Sequence, residues 1–424
     1  MKFPAQRVIK QVGSVGIAGV IVGLTGFVVM IVMAKSLAPA LNAEFMVFWS
    51  VLFWVFGSLM GIQFETTRSV RVVRLEEEAT RQAHELTPKK DGVPVVGYAL
   101  AMTVVVGIVI FASSYLWAPR VFGHNPTVSA LVIAVAAGLY GGYSAVLGVL
   151  GGNSDWSRVS ILMIADTLVR FCALIVTVLL WNTGTVPLKI AAALGVVAWV
   201  FFILLGPGYR STLVVRGDSN VRVMLSQTSQ VVVANLASSA LVVGFPTVLG
   251  LVNGHEIMND SAGVLFAISM TRAPLLLPLN AFQGVLVSYF VKNQGGIPVL
   301  ARLVVGTLGL GVLAATVAGL VGPPLLRLLR PEYQLGAFVV AGLTLGAAFL
   351  ALVVLTGTLT LAVRLHTMCM CGWLVAIFVT VIVLLFPATL SWKVISALLI
   401  GPFFGACVHV IALLRVYRSA VLSE

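Results

Sequence analysis

Twelve apolar runs, each close to the length of a membrane-spanning helix, alternate with short polar segments along this chain. Their cores lie at about 12–34, 45–66, 94–116, 127–149, 158–181 and 188–206, then at 223–250, 261–290, 298–321, 335–362, 367–388 and 394–414. Roughly 20 apolar residues cross a bilayer core as an α-helix, and only a helix satisfies its own backbone in lipid. The pattern therefore predicts an all-α polytopic membrane protein with about 12 transmembrane helices. The first run is too long for the apolar region of a secretory signal and reads as an uncleaved first helix. Two polar interruptions stand out. Residues 74–92 are charged and predict a short surface helix after span two. Residues 207–222 join span six to span seven. This linker divides the chain into an N-terminal six-helix lobe at 1–206 and a C-terminal six-helix lobe at 223–424. An even span count in each half gives both the same orientation, as in parallel internal repeats.

Composition sharpens the class. The 424 residues are 60% hydrophobic and only 9% charged, which excludes an ordinary soluble globular protein. The outer loops are short, and none is large enough to form a soluble domain. Lys and Arg sort by side. The N-terminus, C-terminus and even-numbered loops carry 18 of them, the odd-numbered loops carry 6, and Arg170 and Arg272 lie inside spans. That bias places both termini in the cytoplasm. Trp117, Trp181 and Trp392 then fall at outer helix ends, as an aromatic belt requires. The net charge of +12 belongs to cytoplasmic loops facing anionic headgroups and gives no ground for a nucleic-acid partner. Cys172, Cys369, Cys371 and Cys407 all sit in apolar runs and read as small buried hydrophobes. No metal cluster follows from their spacing. No Gly-rich phosphate loop ends in Gly-Lys-Ser/Thr, and the outer loops hold no paired carboxylates, so no enzyme constellation is present.

The chemistry worth weighing lies inside the membrane. The stretch Ile268–Gln283 carries Arg272, Pro274, Pro278, Asn280 and Gln283 within an apolar run. An arginine at bilayer depth costs roughly 2.5 kcal/mol or more and needs a watery cavity or a partner. On a helix Gln283 returns to within about 20° of the Arg272 azimuth. Two readings stand for Arg272: a structural ion pair with a partner such as Asp166, or the binding of an anion. Asp166 and Arg170 are four residues apart on one helical face. They form either a self-neutralising pair or a site where Asp166 takes a coupling proton or cation. Glu65 and Arg68 close span two at the inner mouth, as an exposed pair or as a gate for a headgroup. Gly57, Gly61 and Glu65 form a row at i+4 spacing that permits close helix approach. The glycines of span one, among them Gly16, Gly19 and Gly26, read as packing positions. Span seven is polar, with Gln227, Gln230 and Asn235 as the candidates for a water-lined wall.

Several segments together resemble the polysaccharide flippases, the Wzx-like family within the superfamily that also holds multidrug exporters and lipid II flippases. Met33-Ala-Lys-Ser-Leu-Ala-Pro through Glu44-Phe45 resembles that family's first outer loop, with Met46 where glycine is usual. Phe64-Glu-Thr-Thr-Arg68 resembles its span-two end, and Trp156 through Arg170 its fifth span. Arg330-Pro-Glu-Tyr333 resembles its loop before span ten, and Arg272 through Pro278 its span eight. Multidrug members typically carry acidic residues in the first or seventh span, which this chain lacks. The resemblance implies two six-helix lobes around a central cavity, working by alternating access in a bacterial plasma membrane. The implied substrate is a polyprenyl-diphosphate-linked oligosaccharide moved from the inner to the outer leaflet, an anionic lipid-linked glycan for cell-envelope polysaccharide synthesis. Arg272 would hold the diphosphate, with Arg68 and Arg170 as further contacts, and Gln227, Gln230, Asn235, Asn280 and Gln283 would hydrogen-bond sugar. A proton or cation at Asp166 or Glu65 would couple transport. No cofactor is implied; membrane lipids and envelope glycosyltransferases are the expected partners. The alternatives are a cation-coupled multidrug exporter of the same fold and a membrane enzyme of envelope glycan assembly.

Overall fold

The computed structural model describes residues 5–83, 92–180, 184–254, 261–272, 297–363 and 365–422. Among these residues the chain is helical, without strands beyond one antiparallel bridge between Pro94 and Arg216. The helices are α1 (Ala5–Ser36), α2 (Pro39–Ala83), α3 (Val95–Ala112), α4 (Ser114–Val121), α5 (Pro126–Gly152) and α6 (Trp156–Leu180). Next come α7 (Val186–Ala193), α8 (Ala198–Leu205), α9 (Val221–Val242), α10 (Phe245–Asn253) and α11 (Ala262–Arg272). The chain closes with α12 (Ile297–Leu329), α13 (Ala337–Ala362), α14 (His366–Leu385) and α15 (Leu390–Leu422). Ten described segments are long and apolar enough to cross a membrane, and the bent pair α9–α10 makes an eleventh. Of the expected eighth span, α11 is described. The protein is a multi-pass membrane protein, and its exterior agrees: Leu179, Leu205 and Leu328 stand more than three-quarters exposed. Lipid tails can cover such residues; water could not without cost.

Three expected spans differ in detail. α2 does not stop at the membrane edge for a separate surface helix. It runs unbroken for 45 residues, about 68 Å, because Arg74, Glu77 and the residues around them are good helix formers with an i,i+3 ion pair of 2.9 Å. Span six is two helices joined by a 3₁₀ turn at Leu194–Val197. Span seven breaks between Val242 and Phe245, and α9 and α10 meet at 81°. Gly244 and Pro246 supply the break, since proline cannot donate into the preceding turn.

The described residues form two compact units. The first comprises residues 1–26 and 48–239, the second 27–47 and 240–424. In the first, α3 packs along α5, and α6 along α7 and the 3₁₀ turn. The predicted glycine row works as expected: a Cβ on Gly61 would lie 2.7 Å from the Val232 nitrogen, and one on Gly57 2.8 Å from the Ser239 Cβ. α2 and α9 therefore touch nearly backbone to backbone, and Ser58 and Ser239 share a 3.1 Å hydroxyl contact. Gly16, Gly19 and Gly26 of α1 correct the packing expectation, for nothing lies within 4 Å of their Cβ positions. Among the cysteines Cys369 is buried but Cys172 is exposed. In the second unit α13 and α14 both pack on α15, and Val299, Leu300, Leu355, Leu359 and Leu413 form one buried cluster. His409 is fully buried and satisfied, with its ring nitrogens 3.1 Å from the Thr356 hydroxyl and 3.0 Å from the Cys369 carbonyl.

Candidate functional site

Within the first unit, α6 presents Asp166 and Arg170 on one face, one turn apart. The Arg170 Nη2 donates to Asp166 Oδ1 over 2.9 Å, and both side chains are largely buried. α2 supplies the wall. The Arg170 guanidinium lies 4.7 Å from the Phe53 ring centre, 5.8 Å from Phe56 and 5.9 Å from Trp49. Tyr140 of α5 stacks on Phe56 with ring centres 4.3 Å apart. Three aromatic faces solvate a cation electrostatically where water is excluded. The 3₁₀ turn seals the arrangement: a Cβ on Gly195 would fall 2.6 Å from the Asp166 carbonyl oxygen and 2.7 Å from Arg170 Nη2. The charge pair is thus neutralised, boxed and close-packed.

At the basic end of the same unit Arg68 is a hub. Its Nε donates to both Glu65 oxygens at 2.9 and 3.0 Å, and its Nη1 to Asp218 Oδ2 at 2.9 Å. Its Nη2 reaches Gln227 Oε1 at 3.1 Å. Ser69 donates to Asp218 Oδ1 at 2.7 Å and accepts from the Asp218 backbone N–H at 2.9 Å. Burial alone would raise the Asp218 carboxyl, but hydrogen bonds from Arg68 and Ser69 outweigh it and hold the group below the usual carboxylate range. The polypeptide delivers Asp218 there by pairing the linker with the start of α3: Gly217 N–H donates to the Val93 carbonyl at 2.9 Å and Val95 N–H to the Val215 carbonyl at 3.1 Å. Arg68 and Glu65, predicted as a pair at the inner mouth, are therefore part of a five-residue network with Ser69, Asp218 and Gln227.

In the second unit Arg272 is the last described residue of α11 and is 6% exposed. Its Nη1 donates to the carbonyls of Leu241 and Val242 at 3.1 and 3.2 Å, and its guanidinium lies 5.2 Å from the Phe245 ring centre. The break after α9 explains this. A helix end leaves carbonyls without N–H partners, and an arginine can fill the role. The Asp166 partnership suggested by the sequence gives way to this geometry, because Asp166 is bonded to Arg170. Among the described residues Arg272 has no carboxylate partner, and its Nε and Nη2 make no hydrogen bond. The guanidinium is thus buried with two of its donor nitrogens unpaired among the described residues.

The remaining predicted residues scatter. Gln230 is exposed and reaches Ser226 at 3.4 Å. Asn235 has a buried Nδ2 without a partner among the described residues. Asn280 and Gln283, with Pro274 and Pro278, lie outside the described residues. Two features escaped the sequence reading. Lys189, counted with the outer loops, is fully buried, donates to Ser129 at 2.8 Å and lies 5.3 Å from the Phe122 ring centre. Also, two segments that carried the family resemblance meet in the second unit: Asn42 donates to the Tyr333 hydroxyl at 2.8 Å, and Arg330 Nε to the Ala34 carbonyl at 2.7 Å.

No known family model matches the chain. It is 33% identical over 409 residues to the uncharacterized protein Rv1510 of Mycobacterium tuberculosis, covering 96% of this chain and 92% of that one. It is 32% identical over 413 residues to a second protein of that organism, the uncharacterized protein Rv3630, with the same coverage. Among solved structures it resembles the lipid II flippase MurJ in an inward closed conformation, with a TM-score of 0.69 and 13% identity over 96% of this chain and 90% of that one. It resembles a multidrug resistance MATE family transporter of the MOP superfamily, inward-facing, with a TM-score of 0.68 and 14% identity over 96% and 99%. A MOP superfamily transporter from Pyrococcus furiosus, described as having a binding pocket of reverse polarity, follows at a TM-score of 0.59 and 16% identity over 98% and 96%. The fold is that of the MOP superfamily.

Proposed function

The chain belongs to the family of the Mycobacterium tuberculosis proteins Rv1510 and Rv3630, and from that membership and its MOP fold we propose that it flips a polyprenyl-diphosphate-linked oligosaccharide across a bacterial plasma membrane. Movement runs from the cytoplasmic to the outer leaflet by alternating access of two six-span lobes, with both termini in the cytoplasm. The observation that carries the reading is Arg272. A buried guanidinium whose hydrogen-bond partners are carbonyls retains its charge, and its two uncommitted donors match a bidentate phosphate contact. The likeness to a lipid II flippase fold supports a lipid-linked cargo. Gln227, Asn235, Asn280 and Gln283 remain sugar-contact candidates. Arg68 is a gate whose opening would require its Glu65 and Asp218 bonds to part. Asp166 is the coupling candidate only if its bond to Arg170 opens, and Glu65 only if it leaves Arg68.

A cation-coupled multidrug exporter is the second reading, favoured by the MATE-like fold. It requires a carboxylate free to meet a cationic drug, whereas Asp166 is bonded to Arg170. Depletion of the protein followed by analysis of lipid-linked intermediates separates the two. Accumulation of a complete lipid-linked glycan on the cytoplasmic leaflet is the expected result. Drug sensitivity with unchanged lipid-linked glycans would sink the proposal.

A further inference from the structure

A pocket of about 350 Å³ opens in the first unit, and neither Asp166 nor Arg170 lines it. Arg71 and Arg74 of α2, Arg158 of α6 and the linker residues Ser211 and Thr212 line it. Two of its arginines are held in place by neighbours. Arg74 Nε donates to Asn153 Oδ1 at 2.8 Å and its Nη1 to Glu77 at 2.9 Å. Arg158 rests against Gly208, where a Cβ would come within 2.6 Å of its Nη2, and lies 5.9 Å from the Tyr209 ring centre. Each guanidinium carries five N–H donors, and these contacts use few of them. Arg71 makes no hydrogen bond or ion pair among the described residues. Two carboxylates also line the pocket. Asp155 is committed to Arg158, accepting from Nη1 at 2.8 Å and from its backbone N–H at 3.2 Å. Glu78 is exposed and has no ion pair among the described residues. Asp155 and Glu77 offset Arg158 and Arg74, which leaves Arg71 as the lining arginine without a bonded counter-charge among the described residues.

Position adds to charge. Arg71 lies about 48 Å along α2 from Pro39, against a bilayer about 40–45 Å thick with its headgroups. A helix that enters at one membrane surface near Pro39 would reach the opposite surface near Arg71. Guanidinium forks with unused N–H donors lining one polar pocket suit a tetrahedral oxyanion better than a planar or apolar ligand. We infer that this pocket binds a phosphate group, supplied either by an anionic lipid headgroup or by free phosphate. None of its lining residues is among the transport residues proposed above, and the site does not depend on that cargo.

The test uses the full-length protein purified in a neutral detergent. Thermal midpoints are titrated with phosphatidylglycerol, with phosphatidylcholine as the neutral control, and separately with inorganic phosphate against chloride at matched ionic strength. The native protein gains stability in proportion to occupancy. Arg71→Gln loses no partner seen in the structure and folds; it needs about ten-fold more ligand for the same gain. Arg222→Gln, an exposed arginine outside the pocket, titrates like the native protein. Stabilisation by phosphatidylglycerol alone identifies a lipid headgroup site, and stabilisation by inorganic phosphate as well identifies a free phosphate site. No stabilisation by either ligand overturns the inference, as do equal losses in Arg71→Gln and Arg222→Gln.

Discussion

Two buried arginines inside the membrane receive opposite treatment in this protein. Arg170 is bonded to a carboxylate at 2.9 Å and faces three aromatic rings, and a glycine closes the space behind it. Arg272 has two backbone carbonyls and one ring. The first charge is neutralised where it stands. The second is hydrogen-bonded through one nitrogen only and has no counter-charge among the described residues. The same residue type at similar burial is therefore paired with a carboxylate in one region and left without one among the described residues in the other. Arg68 lies between these extremes: it is paired with two carboxylates, yet its side chain is 41% exposed, and water and salt weaken both bonds.

The largest expected effect comes from making Arg170 resemble Arg272. Asp166→Asn leaves the boxed guanidinium without its counter-charge, which should destabilise the protein by about 3–5 kcal/mol. Asp166→Asn with Arg170→Met should recover most of that loss. Thermal or denaturant unfolding of the two variants checks this, and a double variant no more stable than the single one would remove the pairing from the account. A smaller effect is expected from Gly195→Ala. Its methyl would meet a backbone carbonyl at 2.6 Å, so the 3₁₀ turn must shift, at about 1–3 kcal/mol. A Gly195→Ala protein with native stability would show that the turn is loose. The smallest effect belongs to the network around Arg68, whose side chain is 41% exposed. Asp218→Asn should cost below about 1 kcal/mol at neutral pH. The Asp218 carboxyl titrates lower in the folded protein than in the unfolded chain. Its contribution is therefore full above about pH 5 and is lost as pH falls below about 4. The gap between native and Asp218→Asn midpoints should close over that window. A gap that persists into stronger acid would contradict it.

Much of this was legible in the chain. The apolar runs predicted the spans, and helical periodicity brought Asp166 to Arg170, Glu65 to Arg68, and Gly57 and Gly61 to one face. These are local relations, within one or two turns of a helix. What escaped depends on distant segments. Asp218 arrives at Arg68 from 150 positions away, carried by linker pairing that has no periodic signal. Lys189 looked like a loop cation because hydropathy does not report that Phe48 and Phe122 cover it. The role of Arg272 at a helix break was half visible: Gly244 and Pro246 mark the interruption, but nothing local says which side chain caps the freed carbonyls.

The central claim is that the charge of Arg272, beyond its bonds to Leu241 and Val242, serves an anionic cargo. Glutamine separates the two, because its amide can still donate to a carbonyl but carries no charge. The decisive measurement is the rate at which Arg272→Gln flips a lipid-linked diphosphate glycan in proteoliposomes, with Arg272→Lys alongside and unfolding midpoints confirming that both variants are folded. The account predicts a loss of ten-fold or more for glutamine, about 1.4 kcal/mol or above, and substantial retention for lysine. A folded Arg272→Gln protein that flips at the native rate would contradict it.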